Sequence, residues 1–347
     1  MPIDRRLLTA GLAASFVAAC SRSDEAAAPR PAGETRAVKL ATDWRAEAEH
    51  GGFYQAVATG EYARRGLDVE IVQGGPGVNV PQLLAAGGAD FGIGSNAFIV
   101  LNLAAEKAPV TAVMAAFQKD PQVLIAHPDA GIERIEDMKG HPILLADASV
   151  TAFWVWLKAK YGFTDDQVRK YTFNAGPFLA NKRAVQQGYV TSEPYTIARQ
   201  AGFEPKIFLL ADYGYPGYAA AVLARNSLIA QDPGTVRAFV EGSAAGWASY
   251  LHDDPGPADA LIRRDNPEMA ADVLVQAREK LKRYGIVESG DAEPAGIGVM
   301  TDARWKTFFD MAASQGIYPP GMDYRAAYSL AFLPGRPVDP APAVKAS

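Results

Sequence analysis

The sequence predicts an α/β protein built as two lobes, and three observations carry that expectation. Short β-like runs alternate with amphipathic helical stretches along most of the chain. Turn-forming breaks fall at Gln118-Lys119-Asp120-Pro121 and at Tyr213-Gly214-Tyr215-Pro216-Gly217-Tyr218, so the chain can leave one lobe near Lys119 and return near Tyr215. The roughly 310 residues that follow the N-terminal segment are more than one core holds comfortably.

The elements follow in order. Residues 37–42 read as a first strand and 50–65 as a helix. Leu-Asp-Val-Glu-Ile-Val at 67–72 alternates as a half-buried strand does, and Gly74-Gly75-Pro76-Gly77 stops it. That glycine turn lacks the Lys-Ser/Thr of a phosphate loop. A short helix is expected at 80–86, a strand at 90–93 and a helix at 95–105, then β-like runs at 110–117 and 122–127. The second series begins with strand 143–145 and helix 150–160, followed by strand 171–174 and helix 177–187. Strand 189–191, helix 194–201 and strand 206–210 complete it. Beyond the second break come strand 220–224 and helices at 233–251, 267–284 and 302–315. The expected lobes are 37–119 with 217–335, and 120–216, ahead of a tail at 336–347.

The N-terminus has its own logic. Arg5 and Arg6 precede an apolar stretch, Leu7 to Ala19, which is shorter than the roughly 20 residues of a membrane span and suits a signal peptide. It ends Val17-Ala18-Ala19-Cys20, the pattern of a bacterial lipobox, in which the cysteine is acylated. Residues 1–19 are therefore expected to be a lipoprotein signal peptide and 20–36 a flexible tether rich in Ala, Pro and Ser. The paired arginines leave ordinary and twin-arginine export both open. Cys20 is the sole cysteine, so disulfides and thiolate chemistry are absent from the rest of the chain.

Net charge is -5 and no Lys/Arg cluster interleaves with aromatics, which argues against a nucleic-acid partner. The four histidines, His50, His127, His141 and His252, have no zinc spacing, and no G-x-S-x-G elbow exists. The expectation is a monomer without metal or cofactor and not an enzyme; the competing reading is a cleft hydrolase using dispersed residues. Gly92-Ile93-Gly94-Ser95-Asn96-Ala97 fits a loose dinucleotide pattern, but it belongs to the third strand of the series and no well-placed acid follows to hold a ribose.

One segment points to a family. Asp43-Trp44, then His50-Gly51-Gly52-Phe53-Tyr54, Gly60-Glu61-Tyr62 and Gly66-Leu67-Asp68-Val69 resemble the opening of the family of thiamine-pyrimidine-precursor binding proteins and the yeast pyrimidine synthase. Asp90-Phe91-Gly92-Ile93-Gly94 and Gly188-Tyr189-Val190-Thr191-Ser192-Glu193-Pro194-Tyr195 resemble later segments of that family. The resemblance implies a two-lobe periplasmic-binding-protein fold (type II, Venus-flytrap). It also implies an extracytoplasmic solute-binding role for an ABC importer, with permease and ATPase partners. The expected location is the periplasm or cell envelope, with a lipid anchor at Cys20. The expected ligand is a thiamine-precursor pyrimidine or similar amino-heteroaromatic; riboflavin, a sulfonate or another small organic solute is the alternative. Where the family often carries Pro and two Asn before the histidine, this chain has Ala46, Glu47 and Glu49. Carboxylates there favour donor-rich or cationic groups and disfavour anions.

Candidate ligand-binding residues follow. Asp43 and Trp44 end the first strand, where an indole can stack on a heteroaromatic ring and a carboxylate accept its amino hydrogens; a buried Trp beside a capping Asp is the other reading. His50 and Phe53 come from the family match. Ser95 and Asn96, and Ser149 in the second series, stand at strand-to-helix junctions, where Ser is also an ordinary cap. Glu193 and Tyr195 belong to the second lobe; Glu193 either binds an amino group or complements a helix dipole. Tyr215 is the favoured tyrosine of the return crossover, and Phe153, Trp154 and Trp156 read mostly as core.

Overall fold

The computed structural model describes residues 35–334. The signal segment, Cys20 and the tail 336–347 lie outside the described residues. β1 (Arg36–Ala41), α1 (Gly51–Ala58), β2 (Leu67–Val72), α2 (Val80–Ala85), β3 (Phe91–Asn96), α3 (Ala97–Ala105) and β4 (Val110–Phe117) come first. β5 (Gln122–Ala126), β6 (Ile143–Leu145), α4 (Asp147–Val150), α5 (Phe153–Tyr161) and β7 (Val168–Lys170) follow, then α6 (Gly176–Ala180), β8 (Val185–Tyr189), α7 (Glu193–Ala201) and β9 (Lys206–Leu209). The return carries β10 (Ala219–Arg225), α8 (Asn226–Gln231), α9 (Pro233–His252), α10 (Gly256–Asp265), α11 (Ala271–Arg283), α12 (Ala292–Ala295) and α13 (Asp302–Ser314).

Two five-stranded sheets result, in the orders β2-β1-β3-β10-β4 and β7-β6-β8-β5-β9. In the first, β1 runs parallel to β2 and β3, and β10 lies antiparallel between β3 and β4. In the second, β6 runs parallel to β7 and β8, while β5 is antiparallel to β8 and β9. Strand composition follows burial: β2 alternates, whereas β4 and β5, covered on both faces, are nearly continuous apolar runs. The protein is thus an α/β fold of two lobes, each a mixed sheet flanked by helices.

Core packing in the first lobe is tight where α1 crosses α9. A Cβ on Gly246 would stand 2.2 Å from the Gly52 carbonyl oxygen, so only glycine lets the two backbones meet. Phe53 packs edge-on against Trp247, 5.8 Å between centroids, and Phe117 meets the same indole at 5.4 Å. Each such buried aromatic contributes on the order of 1.5–3 kcal/mol.

Two segments join the lobes, 118–121 and 210–218, and one side chain holds both. The Arg304 guanidinium donates to the carbonyls of Gln118, Pro216 (3.0 Å) and Gly217 (3.3 Å) and lies over the Tyr218 ring at 4.1 Å. Lys119 pairs with Asp212 across the same two segments at 2.7 Å.

Several sequence expectations need correction. The 50–65 helix ends at Ala58, before Gly60 at φ 77°. The expected 95–105 helix starts at Ala97; Ser95 is still in β3, and Asn96 ends that strand and caps α3. The 150–160 helix is broken at Ala152, whose φ −117° and ψ −117° are not helical. The 171–174 strand is absent: the edge strand is β7, Val-Arg-Lys, too polar to stand out in the sequence. The 177–187 helix stops at Ala180, because residues 181–184 turn and Val185 enters the central strand β8. Gln186 and Gln187 hid that strand by breaking its apolar run. α10 was not expected, and α11 begins at Ala271 instead of 267.

Candidate functional site

A cavity of about 340 Å³ lies at the strand ends of both sheets. The first lobe brings the loop after β1, which carries Asp43, Trp44, Glu47 and Glu49. That loop is fixed by the backbone. Gly74 N–H donates to the Trp44 carbonyl at 3.0 Å, and a Cβ on Gly74 would stand 2.3 Å from the Thr42 carbonyl oxygen. Ala46 is held from both sides, its N–H by Gln73 at 3.1 Å and its carbonyl by the Asn266 amide at 2.9 Å. Both Asp43 oxygens are engaged: His50 Nε2 approaches Oδ1 at 3.0 Å, and the Ser95 hydroxyl donates to Oδ2.

The second lobe supplies Gln122, Ser149, Phe153, Phe173, Gln187, Tyr189, Ser192 and Glu193, and the two crossovers bring Asp120 and Tyr215. Glu193, in the first turn of α7, accepts the Tyr189 N–H at 2.8 Å and the Tyr171 hydroxyl at 3.3 Å. Gly188 permits this close return: a Cβ there would meet the Glu193 Cβ at 2.9 Å. The Gln187 side-chain oxygen accepts the Ala146 N–H at 2.6 Å, and the Gln122 amide donates to the Gly188 carbonyl at 2.9 Å.

The electrostatics are one-sided. Five carboxyl groups line the cavity, Asp43, Glu47, Glu49, Asp120 and Glu193, and none of the lining side chains is Lys, Arg or His. Burial, reinforced by Glu49, Asp43 and Glu193, holds the Glu47 carboxyl well above the usual carboxylate range. Burial also raises Glu193 and Glu49, the latter partly offset by the Thr191 hydroxyl, and pushes Asp120 up to about 7. Such acids accept hydrogen bonds when ionised and can donate one when neutral.

Contacts between the lobes surround the cavity. Thr191 donates its hydroxyl to Glu49 and receives the Gln276 amide on its carbonyl at 2.5 Å. Tyr195 donates to Asp272 at 2.7 Å, where Arg199 also binds. Trp44 meets Phe173 with centroids 5.3 Å apart.

Of the residues expected from sequence, Asp43, Trp44, Ser95, Asn96, Ser149, Glu193 and Tyr215 all line the cavity. Asn96 and Glu193 also serve locally, as helix cap and turn acceptor. His50 stands behind Asp43 and is buried. Phe53 and Tyr195 require correction. Phe53 is a fully buried core ring, because α1 turns that face toward Trp247, and Tyr195 points outward to Asp272. Sequence reasoning missed Asp120, Gln122, Phe173, Gln187 and Tyr189 as lining residues. The available signals were polar residues at the crossover and in a central strand. Among the described residues, no group of three or more His, Cys, Asp or Glu is placed to hold a metal, and no helix is long and apolar enough to cross a membrane.

The model of the family described as NMT1/THI5 like matches residues 47–258. The chain is 25% identical over 348 aligned residues to the riboflavin-binding protein RibY of Chloroflexus aurantiacus, covering 95% of this chain and 98% of that one. It is 23% identical to the formylaminopyrimidine-binding protein of Halalkalibacterium halodurans, covering 79% and 83%. Among solved structures, the putative periplasmic sulfonate-binding protein SsuA of Methylobacillus flagellatus superposes with TM-score 0.62 at 16% identity, covering 86% and 93%, a likeness of fold. The desulfurization enzyme DSZB shares that fold at TM-score 0.54 and 10% identity.

Proposed function

Because the chain belongs to the NMT1/THI5-like family, we propose that it is the solute-binding component of an ABC importer and takes an amino-bearing heteroaromatic of the thiamine-precursor pyrimidine type. The single observation that carries the ligand class is the cavity lining, five carboxyl groups beside aromatic rings with no cation. A flat ring packs under Trp44 and beside Tyr215 or Tyr189, and its amino groups donate to the acids. An anionic sulfonate would meet carboxyl groups and no positive partner, so the sulfonate reading loses on charge. The volume falls within the range of small-molecule sites, which begins at about 300 Å³.

Riboflavin is the second reading, favoured by the alignment to RibY over nearly the whole chain. Its hydroxyls can donate to the same carboxylates. Retention without turnover is the expected behaviour, and conversion of a bound probe would favour the hydrolase reading instead. We also infer export and anchoring through Cys20, supported by the apolar stretch before it. Permease and ATPase partners, a monomeric state and a periplasmic location follow from the same reading.

The test is a thermal-shift and calorimetry screen of the purified protein against formylaminopyrimidine, riboflavin and taurine. A ligand at 100 times its dissociation constant adds about 2.7 kcal/mol of stability. Stabilisation by formylaminopyrimidine supports the first reading and by riboflavin the second. Stabilisation by taurine alone would overturn both.

A further inference from the structure

The loop between β7 and α6 holds an aromatic residue in an unfavourable setting. Phe173 has φ 59°, the left-handed region that a bulky side chain rarely adopts. The residue is also 57% exposed, the most exposed large apolar residue among the described residues. What it touches explains it better than any packing against its own sheet. Phe173 meets Tyr171 at 5.3 Å and, across the cleft, Trp44 at 5.3 Å with the rings tilted by 41°. Both Trp44 and Phe173 line the cavity, one from each lobe. Backbone strain of this kind persists where the surrounding structure over-determines it, and it clusters at functional sites.

The spacing defines what the pair can do. A third ring held between two others needs about twice the carbon contact distance of roughly 3.5–4.0 Å, more than the gap between these two. The two rings therefore touch each other and are not two jaws on either side of a ligand.

We propose, building on the functional reading above, that Phe173 is a specificity-determining residue, the lobe-two half of an aromatic roof that retains a flat amino-bearing ring and lets an aliphatic amine escape. The carboxyl floor binds either kind of amine; the roof tells them apart. The charge of the solute is thus read by the floor and its shape by the roof.

Tryptophan fluorescence isolates the roof. Trp154, Trp156, Trp247 and Trp305 are buried, at 0%, 4%, 0% and 0% exposure, so Trp44 dominates quenching by acrylamide. In the ligand-free protein, Phe173→Ala should raise the quenching constant about two-fold. With formylaminopyrimidine or riboflavin as probe, release should accelerate about ten-fold or more, since interface changes act mainly through dissociation. Preference for the aromatic probe over putrescine should fall by about the same factor. Phe173→Asn guards against misfolding, because asparagine tolerates a positive φ. That variant should melt no lower than wild type yet show the same exposed Trp44 and fast release. A ring needed only for stability would give the opposite, a lower melting temperature with Trp44 and selectivity unmoved. Unchanged quenching in both variants, or unchanged release and preference, would overturn the proposal and leave the functional reading standing. Failure of both aromatic probes to bind the wild type would overturn the functional reading instead, and quenching then decides the roof alone.

Discussion

Asp120 stands where a carboxylate is poorly solvated, 4% exposed between the lobes, and its best compensation is the Gln122 N–H at 3.0 Å. Its carboxyl rises from an ordinary 3.8 to about 7. A raised acid favours the folded state while protonated. Its contribution is therefore complete below about pH 4 and lost as pH climbs through 7, by about 4 kcal/mol at most. Asp120→Asn should flatten that decline, measured as urea midpoints at pH 5 and pH 8; an equal decline in the variant would contradict the assignment. Burial likewise holds the Glu47 carboxyl well above the usual carboxylate range, reinforced by the neighbouring acids. Glu47→Gln should stabilise the ligand-free protein at pH 8 and weaken amine binding by about 1–3 kcal/mol, a pairing of gain and loss that calorimetry beside a melt would reveal. Much of the residue-level site was legible. Asp43, Trp44 and Ser95 were found because strand ends in parallel sheets face a cleft. Phe173 was not, since an aromatic in a short apolar run reads as strand until its backbone angle is known.

Among the elements, α7 and α11 meet across the two lobes. Thr191 just before α7 is held by Glu49 through its hydroxyl and by Gln276 through its carbonyl. Thr191→Val removes the first bond and leaves Glu49, itself a lining residue, without its donor. Ligand affinity should drop about ten-fold, equivalent to the roughly 1.4 kcal/mol expected of one lost hydrogen bond. Small-angle scattering should show a more open ligand-free form; an unchanged profile together with unchanged affinity would contradict the coupling. Where α1 crosses α9, Gly246→Ala should cost about 1–3 kcal/mol by overpacking, read from urea denaturation. The sequence showed α9 and α13 within a residue or so, because long amphipathic runs carry a clear period. It misplaced β7 and β8, one a short polar edge strand and the other a central strand carrying two glutamines.

For the molecule as a whole, Arg304 of α13 ties the two crossovers together, donating to the Gln118 carbonyl of one and to the Pro216 and Gly217 carbonyls of the other. Arg304→Met keeps much of the bulk and removes the donors, so the lobes should sample a wider spread of orientations. Scattering of the ligand-free variant would detect it, and the ligand-bound form should return to the wild-type profile. The sequence by itself determined the α/β class and singled out two of the five acids that line the cavity, Asp43 and Glu193, because hydrophobic period, turn residues and residue type are local properties. Only the tertiary structure decided that Phe53 is core, that Tyr195 faces outward, and that Asp120, Gln187 and Phe173 reach the same cavity as Asp43. Those are relations between segments distant in the chain, fixed by sheet order and by the meeting of two lobes, and no local pattern carries them.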